Sequence, residues 1–277
     1  MLPILESEYF GKKLGFQTLY QVDWGKFNQI CSSSSSETND NTGQRLYAGA
    51  HVAIRFIVHL PIADLLDKAK VAELGCGTGC FGLMALSNSG ADSLLLTDGT
   101  ENTLSIAHFN KKHLLPNSTK DIDICKLEWG DTEQITAAIN KYNCNRPFDI
   151  VIGCELMYFL TDIPSLLSTV LQLTNYQGLF IHAHLFRRAG QEGEVIEYLS
   201  EVGWRTLEVP VREFIPPEEL SQHPAWNSMR ALISGPRKRI SDLLTAHSTW
   251  IVFQPTPPPS PDEKEEVEEG GLHSLFN

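Results

Sequence analysis

Val71-Ala72-Glu73-Leu74-Gly75-Cys76-Gly77-Thr78-Gly79 is the stretch whose reading decides the fold. A short apolar run carries an acid and breaks into a glycine-rich turn, and the turn opens an apolar segment from Gly79 to Asn88 that suits a helix. Strand, glycine turn and helix in that order form the opening unit of a nucleotide-binding α/β sheet. The bare dinucleotide pattern is met as well, by Gly77-Thr-Gly79-Cys-Phe-Gly82, but a glycine pattern alone does not name the ligand.

The acid discriminates. A pyrophosphate seated on a helix N-terminus is opposed by a carboxylate at the mouth of the turn. A cofactor that carries a sulfonium and an ammonium group is attracted by it. Glu73, two residues before the first glycine, therefore favours S-adenosylmethionine over a dinucleotide. Ser93-Leu94-Leu95-Leu96-Thr97-Asp98 follows, and its acid falls about 20 residues past the glycines. That spacing places Asp98 at the C-terminal end of the neighbouring strand, where it can accept both ribose hydroxyls; the competing reading is a turn or helix-capping aspartate.

Outward from this unit, strands and helices alternate. Strands are expected at Lys70–Leu74, Leu94–Thr97, Asp123–Glu128, 148–153, Gly178–Leu185, Trp204–Val211 and Thr249–Gln254. Helices are expected at Tyr47–Leu66, Gly79–Asn88, Asn102–His113, Glu133–Lys141, Ile163–Leu173 and Glu192–Val202. Such alternation implies a mostly parallel sheet covered on both faces. Between the last two strands runs a long excursion with Pro216-Pro217, Trp226 and Arg237-Lys238-Arg239, which reads as a surface helix pair with solvated charges, or else as an insertion that shapes a site. The organisation expected is an N-terminal extension over 1–43, with apolar short elements and a mobile polar loop from Ser32 to Gly43. A catalytic domain over 44–254 follows, then a disordered proline-rich and acidic tail over 255–277.

With 277 residues and 42% hydrophobic content the chain can bury one substantial core. Six cysteines without a CxxC pair fit reduced thiols in a cytosolic or nuclear compartment. Neither a signal segment nor an apolar stretch of membrane-spanning length is apparent. The net charge of −12 disfavours nucleic acid as a substrate and favours a cationic partner such as a lysine-rich protein surface.

Three further pieces accompany the glycine turn: Leu127-Glu128-Trp129-Gly130, Cys154-Glu155-Leu156-Met157-Tyr158, and the approach from Gly43 through Tyr47 to Ala50. Over residues 43 to 185 the chain resembles family 16 of the seven-β-strand methyltransferases, the methyltransferase-like protein lysine methyltransferases. The resemblance implies a Rossmann-like class I sheet of seven strands, the last antiparallel, with S-adenosylmethionine as cofactor. It implies a protein substrate of the kind this family modifies, such as a chaperone, a translation factor or a ribosomal protein. Carried over by position, Gly75, Cys76 and Gly77 contact the cofactor by backbone and Asp98 holds its ribose. Trp129 lies beside the adenine, Cys154 lines the methionine end, and Tyr47 stands where the family usually has tryptophan. Glu73 completes the cofactor set on charge.

The family's signature after the fourth sheet strand is usually Asp-x-x-Tyr, whereas this chain has Glu155-x-x-Tyr158. A histidine-methylating branch and some lysine-methylating relatives are similar with glutamate there, so lysine and histidine acceptors both stay open. Lysine, with a pKa near 10.4, costs about 4.6 kcal/mol to deprotonate at pH 7. A carboxylic acid with an ordinary pKa near 4.3 is too weak a base for that step. Glu155 is therefore expected to orient the acceptor nitrogen with Tyr158 packed beside it. The competing reading makes Glu155 a helix cap and Tyr158 core. His182 and His184 share one face of a strand and read as a rim of the acceptor pocket rather than a metal site. A small-molecule acceptor, a non-catalytic cofactor-binding scaffold and, more distantly, a dehydrogenase complete the alternatives.

Overall fold

The computed structural model describes residues 4–9, 12–17, 43, 48–115, 118–158, 161–186, 190–222 and 224–254. The Ser32–Gly43 loop apart from Gly43, Tyr47, and the tail from 255 onward lie outside the described residues. Along the chain come β1 (Ile4–Tyr9), β2 (Lys12–Gln17), α1 (Ala48–Val58), α2 (Leu60–Leu65), β3 (Lys70–Leu74), α3 (Cys80–Ser87) and β4 (Ser93–Asp98). Then follow α4 (Glu101–Leu114), β5 (Asp121–Lys126), α5 (Thr132–Tyr142), β6 (Ile150–Cys154), α6 (Ile163–Leu173), β7 (Leu179–His184) and α7 (Gln191–Glu201). The last part holds β8 (Trp204–Glu208), α8 (Pro217–Gln222), β9 (Arg230–Pro236), α9 (Arg237–Ala246) and β10 (Ile251–Val252), with single 3-10 turns at Val211–Glu213 and Pro224–Ser228.

β1 and β2 pair as an antiparallel hairpin beside α4. The main sheet has the order β10-β8-β9-β7-β6-β3-β4-β5. β5, β4, β3, β6 and β7 are parallel, and β9 runs antiparallel between β7 and β8. The central strands read as continuous apolar runs because both faces are covered, and every residue of β7 is buried. One face carries α1, α3 and α4 with Val52, Phe56, Leu83 and Leu104; the other carries α5, α6 and α7 with Ile135, Leu166 and Val195. Among the described residues no helix is long and apolar enough to cross a membrane.

β3 lies between β4 and β6, so the chain winds outward from it in both directions. A crevice opens outside the carboxyl ends of the strands at such a switch point. Helix starts are fixed locally. Asp131 caps α5 by accepting from Gln134 N at 3.0 Å, and Asp162 caps α6 by accepting from Ser165 N and Ser165 Oγ at 3.4 and 2.7 Å.

Two elements differ from the sequence expectation. The helix expected over Tyr47–Leu66 is broken at His59, because Pro61 lacks an N–H and enters as the first turn of α2. The excursion before residue 249 holds the expected pair of largely exposed helices, α8 and α9, but it does more than that. It contributes β9, the antiparallel strand expected at Thr249–Gln254, whereas that segment gives only the two-residue edge strand β10. Ahead of β9 the excursion packs across α1, with Phe214 5.3 Å from Phe56, Trp226 stacked on His51 at 6.5 Å, and Arg55 paired with Glu219 at 3.2 Å.

Candidate active site

The glycine turn after β3 has Gly75 and Gly77 at φ +55 and Gly79 at φ +74, which side chains rarely adopt. Space forbids a Cβ as firmly as conformation does. At Gly75 it would meet Leu156 Cδ2 at 2.7 Å and Trp129 Cζ2 at 3.3 Å; at Gly77 it would meet the Gly43 carbonyl oxygen at 2.8 Å. The bare turn forms the floor of a cavity of about 490 Å³, lined by Gly43, Asp98, Thr100, Trp129, Cys154, Glu155 and Tyr158 among others. That volume is typical of a small-molecule site.

Asp98, at the end of β4, is anchored by backbone donors. Oδ2 accepts from Gly77 N at 3.1 Å and Oδ1 from Thr100 N at 3.2 Å. Burial raises its pKa, with the Gly77 and Thr100 donors acting in the opposite direction. Glu73 is buried at the cavity wall and its Oε2 accepts from Gly82 N at 3.0 Å. Burial pushes its carboxyl well above the usual range, the Gly82 N–H opposing and the Asp98 charge adding. A Cβ at Gly82 would run into Glu73 Oε2, so the third glycine of the fingerprint lets α3 close on β3. Cys76 and Cys80 also line the cavity, and burial pushes both thiols well up. Protonated thiols are poor nucleophiles.

At the end of β6 the chain turns sharply at Glu155, which has φ +55 although it is not glycine. Its N–H donates to the Ala183 carbonyl at 2.8 Å, and its Oε1 accepts from Leu185 N at 3.0 Å. Gly49 at the start of α1 presses on the same carboxylate, since a Cβ there would stand 2.5 Å from Oε1. Tyr158 follows, its N–H donated to Thr161 Oγ1 at 3.1 Å and its carbonyl accepting from Gln191 Nε2 at 3.3 Å.

The structure thus brings Glu73, Gly75, Cys76, Gly77, Asp98, Trp129, Cys154, Glu155 and Tyr158 to one cavity. His182 and His184 do not line it. Both are fully buried beneath β7's neighbours, His182 stacked on Phe180 at 4.0 Å and within 3.2 Å of Ser234 Oγ, so the pocket-rim reading is corrected. Sequence reasoning did not place Gly43, whose carbonyl covers Gly77, among the site residues, nor Thr100 and Thr103, which line the cavity beside Asp98. The Thr100 position was within reach, as it lies two residues beyond Asp98. Gly43 opens the approach that carries the family resemblance, but no contact was assigned to it.

The residues fit S-adenosylmethionine: an anchored carboxylate for a vicinal diol, an aromatic ring over a bare turn for a purine, and backbone with room for no side chain between them. An open sheet of this order, with β9 reversed and the glycine turn at the switch point, is that of the class I S-adenosylmethionine-dependent methyltransferases. The chain belongs to the lysine methyltransferase family, whose model matches residues 29–202, more than half of it. It is 26% identical over 196 residues to the protein-lysine N-methyltransferase EFM3 of Chaetomium thermophilum, covering 69% of this chain and 56% of that protein. It is 32% identical over 108 residues to the ribosomal RNA large subunit methyltransferase G of Klebsiella pneumoniae, covering 36% of this chain and 26% of that one. The chain therefore spans little more than half of the first relative and a quarter of the second. Among solved structures, one provisionally assigned as an S-adenosylmethionine-dependent methyltransferase of Streptococcus mutans aligns over 84% of this chain and 56% of its own. Its TM-score is 0.53 at 9% identity, a likeness of fold.

Proposed function

We propose that this chain methylates a lysine side chain of a protein, with S-adenosylmethionine as donor. The observation that carries the reading is the placement of Glu155 and Tyr158 on one rigid turn at the cavity that Asp98, Trp129 and the glycine turn also line. The family match and the EFM3 likeness support lysine. A net charge of −12 supports a cationic protein partner over RNA.

When bound, the cofactor supplies an electrophilic methyl group on a sulfonium. Asp98 accepts the ribose hydroxyls, Trp129 packs on the adenine, and the backbone of Gly75, Cys76 and Gly77 closes against the cofactor. Glu73, tied to Gly82, keeps that turn and α3 together, and Cys154 lines the methionine end. Glu155, held from β7, orients the acceptor nitrogen, and Tyr158 excludes water beside it. A carboxylate is too weak a base to take the ammonium proton outright, so the proton leaves to water and positioning dominates. Six cysteines without a CxxC pair fit a cytosolic or nuclear setting.

The test is incubation of methyl-labelled S-adenosylmethionine with lysate of cells lacking this protein, with wild type and Glu155→Ala side by side. A discrete labelled protein that yields methyl-lysine and is missing with the variant supports the reading. Methyl-histidine in that protein moves the acceptor to histidine. Intact cofactor binding with no labelled protein overturns the reading in favour of a small-molecule acceptor or a scaffold.

A further inference from the structure

Glu155 holds a left-handed backbone that a non-glycine residue keeps only where its surroundings impose it. The imposing groups come from three consecutive residues at the end of β7. The Ala183 carbonyl accepts Glu155 N–H at 2.8 Å, His184 Nδ1 accepts Leu156 N–H at 3.1 Å, and Leu185 N–H donates to Glu155 Oε1 at 3.0 Å. Two of these contacts are made by backbone and would survive any substitution on β7. The middle one depends on a side chain.

We propose that His184 is a positioning residue for methyl transfer, fixing through its Nδ1 the turn that presents Glu155 and Tyr158 to the acceptor. The inference rests on the reading of those two residues as the acceptor-side pair. His184 lies outside the cavity lining and is fully buried, with its ring 4.7 Å from His182 and 6.1 Å from Phe186, so it acts through the turn and not on the substrate. To accept from Leu156, Nδ1 carries no proton, which puts the ring proton on Nε2. A buried backbone N–H needs an acceptor, and the His184 ring supplies it for Leu156. The contact is passed along the turn. The Leu156 carbonyl accepts from Thr161 Oγ1 at 2.6 Å, and the same hydroxyl accepts Tyr158 N–H at 3.1 Å. Losing the His184 contact frees one end of a chain of bonds whose other end is Tyr158.

Geometry supplies the discriminating pair of variants. Asparagine carries its Oδ1 two bonds from Cβ, where histidine carries Nδ1, whereas the glutamine amide lies one atom further out, towards Nε2. His184→Asn keeps the acceptor and His184→Gln misplaces it. Three readouts are compared with wild type: exchange of the Leu156 amide hydrogen, label transfer from methyl-labelled S-adenosylmethionine to lysate protein, and the Kd of S-adenosylhomocysteine. In His184→Gln the Leu156 amide should exchange at least about 10-fold faster, as for one lost buried hydrogen bond. Its transfer rate at saturating donor should fall by about 100-fold, the size expected for a catalytic group displaced by an ångström. The KM for donor and the Kd should change by less than about 3-fold, because the cofactor side is untouched. His184→Asn should stay within about 5-fold of wild type in all three.

Wild-type transfer by His184→Gln, equal losses in the two variants, or a loss carried wholly by cofactor affinity would each overturn the inference. Should His184→Gln fail to fold, His184→Asn decides: a rate within about 5-fold of wild type upholds the clamp and a 100-fold loss removes it. Should wild type transfer to no acceptor, the functional reading falls separately. Leu156 amide exchange then tests the clamp alone, with protection expected in wild type and His184→Asn and not in His184→Gln.

Discussion

Asp98 and Glu73 show how far two carboxylates of similar sequence position can differ in environment. Both line the cavity and both have raised pKa values through burial, yet their partners differ. Glu73 is spent on the helix, its Oε2 on Gly82 N, while Asp98 braces the turn from the rim through Gly77 N and Thr100 N. Charge-assisted hydrogen bonds to two ribose hydroxyls are together about 3 kcal/mol or more, or about 100-fold in affinity. Asp98→Ala should therefore lose at least that factor in S-adenosylhomocysteine affinity by calorimetry, and a Kd within threefold of wild type would remove Asp98 from the ribose. The acids and glycines of this site were legible because their spacing along a strand-turn-helix unit is tied to the ligand's dimensions. The left-handed backbone at Glu155 was not, since nothing in Cys154-Glu155-Leu156 signals it and the donors and acceptors that impose it lie about 30 residues away, at and just past the end of β7.

At the scale of elements, the central parallel strands were legible as apolar runs, and α6 was expected at the bounds it adopts. β9 was missed for a physical reason. Its apolar core, Ala231-Leu232-Ile233, is short and runs into Ser234-Gly235-Pro236, a sequence that by itself reads as a turn. Pro236 is tolerated because it is the last residue of the strand, and Ser234 because its hydroxyl is satisfied by Thr206 Oγ1 at 2.8 Å. Gly235 is required by neighbours and not by backbone conformation: a Cβ there would stand 2.6 Å from Leu179 Cδ2 and 3.3 Å from the Gly178 carbonyl oxygen. Overpacking of this kind costs about 1–3 kcal/mol. Gly235→Ala should lower the urea midpoint accordingly, with cofactor affinity unchanged because the strand end concerned lies away from the cavity. A variant as stable as wild type would show that Leu179 yields without cost. The α1 break is the same lesson in reverse, as Pro61 marked it plainly while the apolar spacing on either side ran on as one helix.

Across the whole molecule, β7, β9 and β8 are tied together inside the sheet by polar groups that a purely apolar core would lack. His182 Nε2 lies 3.2 Å from Ser234 Oγ, which lies 2.8 Å from Thr206 Oγ1, so one buried chain crosses three strands. Burial first, and the neighbouring His184 second, hold the His182 pKa well below 6.5. The unfolded chain then takes up a proton that the folded one refuses. Stability from this group is complete above pH 6.5 and is lost as pH falls below 6.5 toward the folded value. For one such proton the loss between pH 7.5 and 5.5 is at most about 1.4 kcal/mol. His182→Gln places an amide nitrogen near the Nε2 position, keeps a donor for Ser234 and does not titrate. Urea unfolding of both proteins at pH 7.5, 6.5 and 5.5 isolates the term. His59, whose pKa burial also lowers, contributes equally to both and cancels in the difference. The two stability curves should converge, or cross, as the pH falls, by up to the amount stated. Parallel curves would mean that His182 accepts its proton without unfolding the sheet, and that the buried chain relaxes to solvate it.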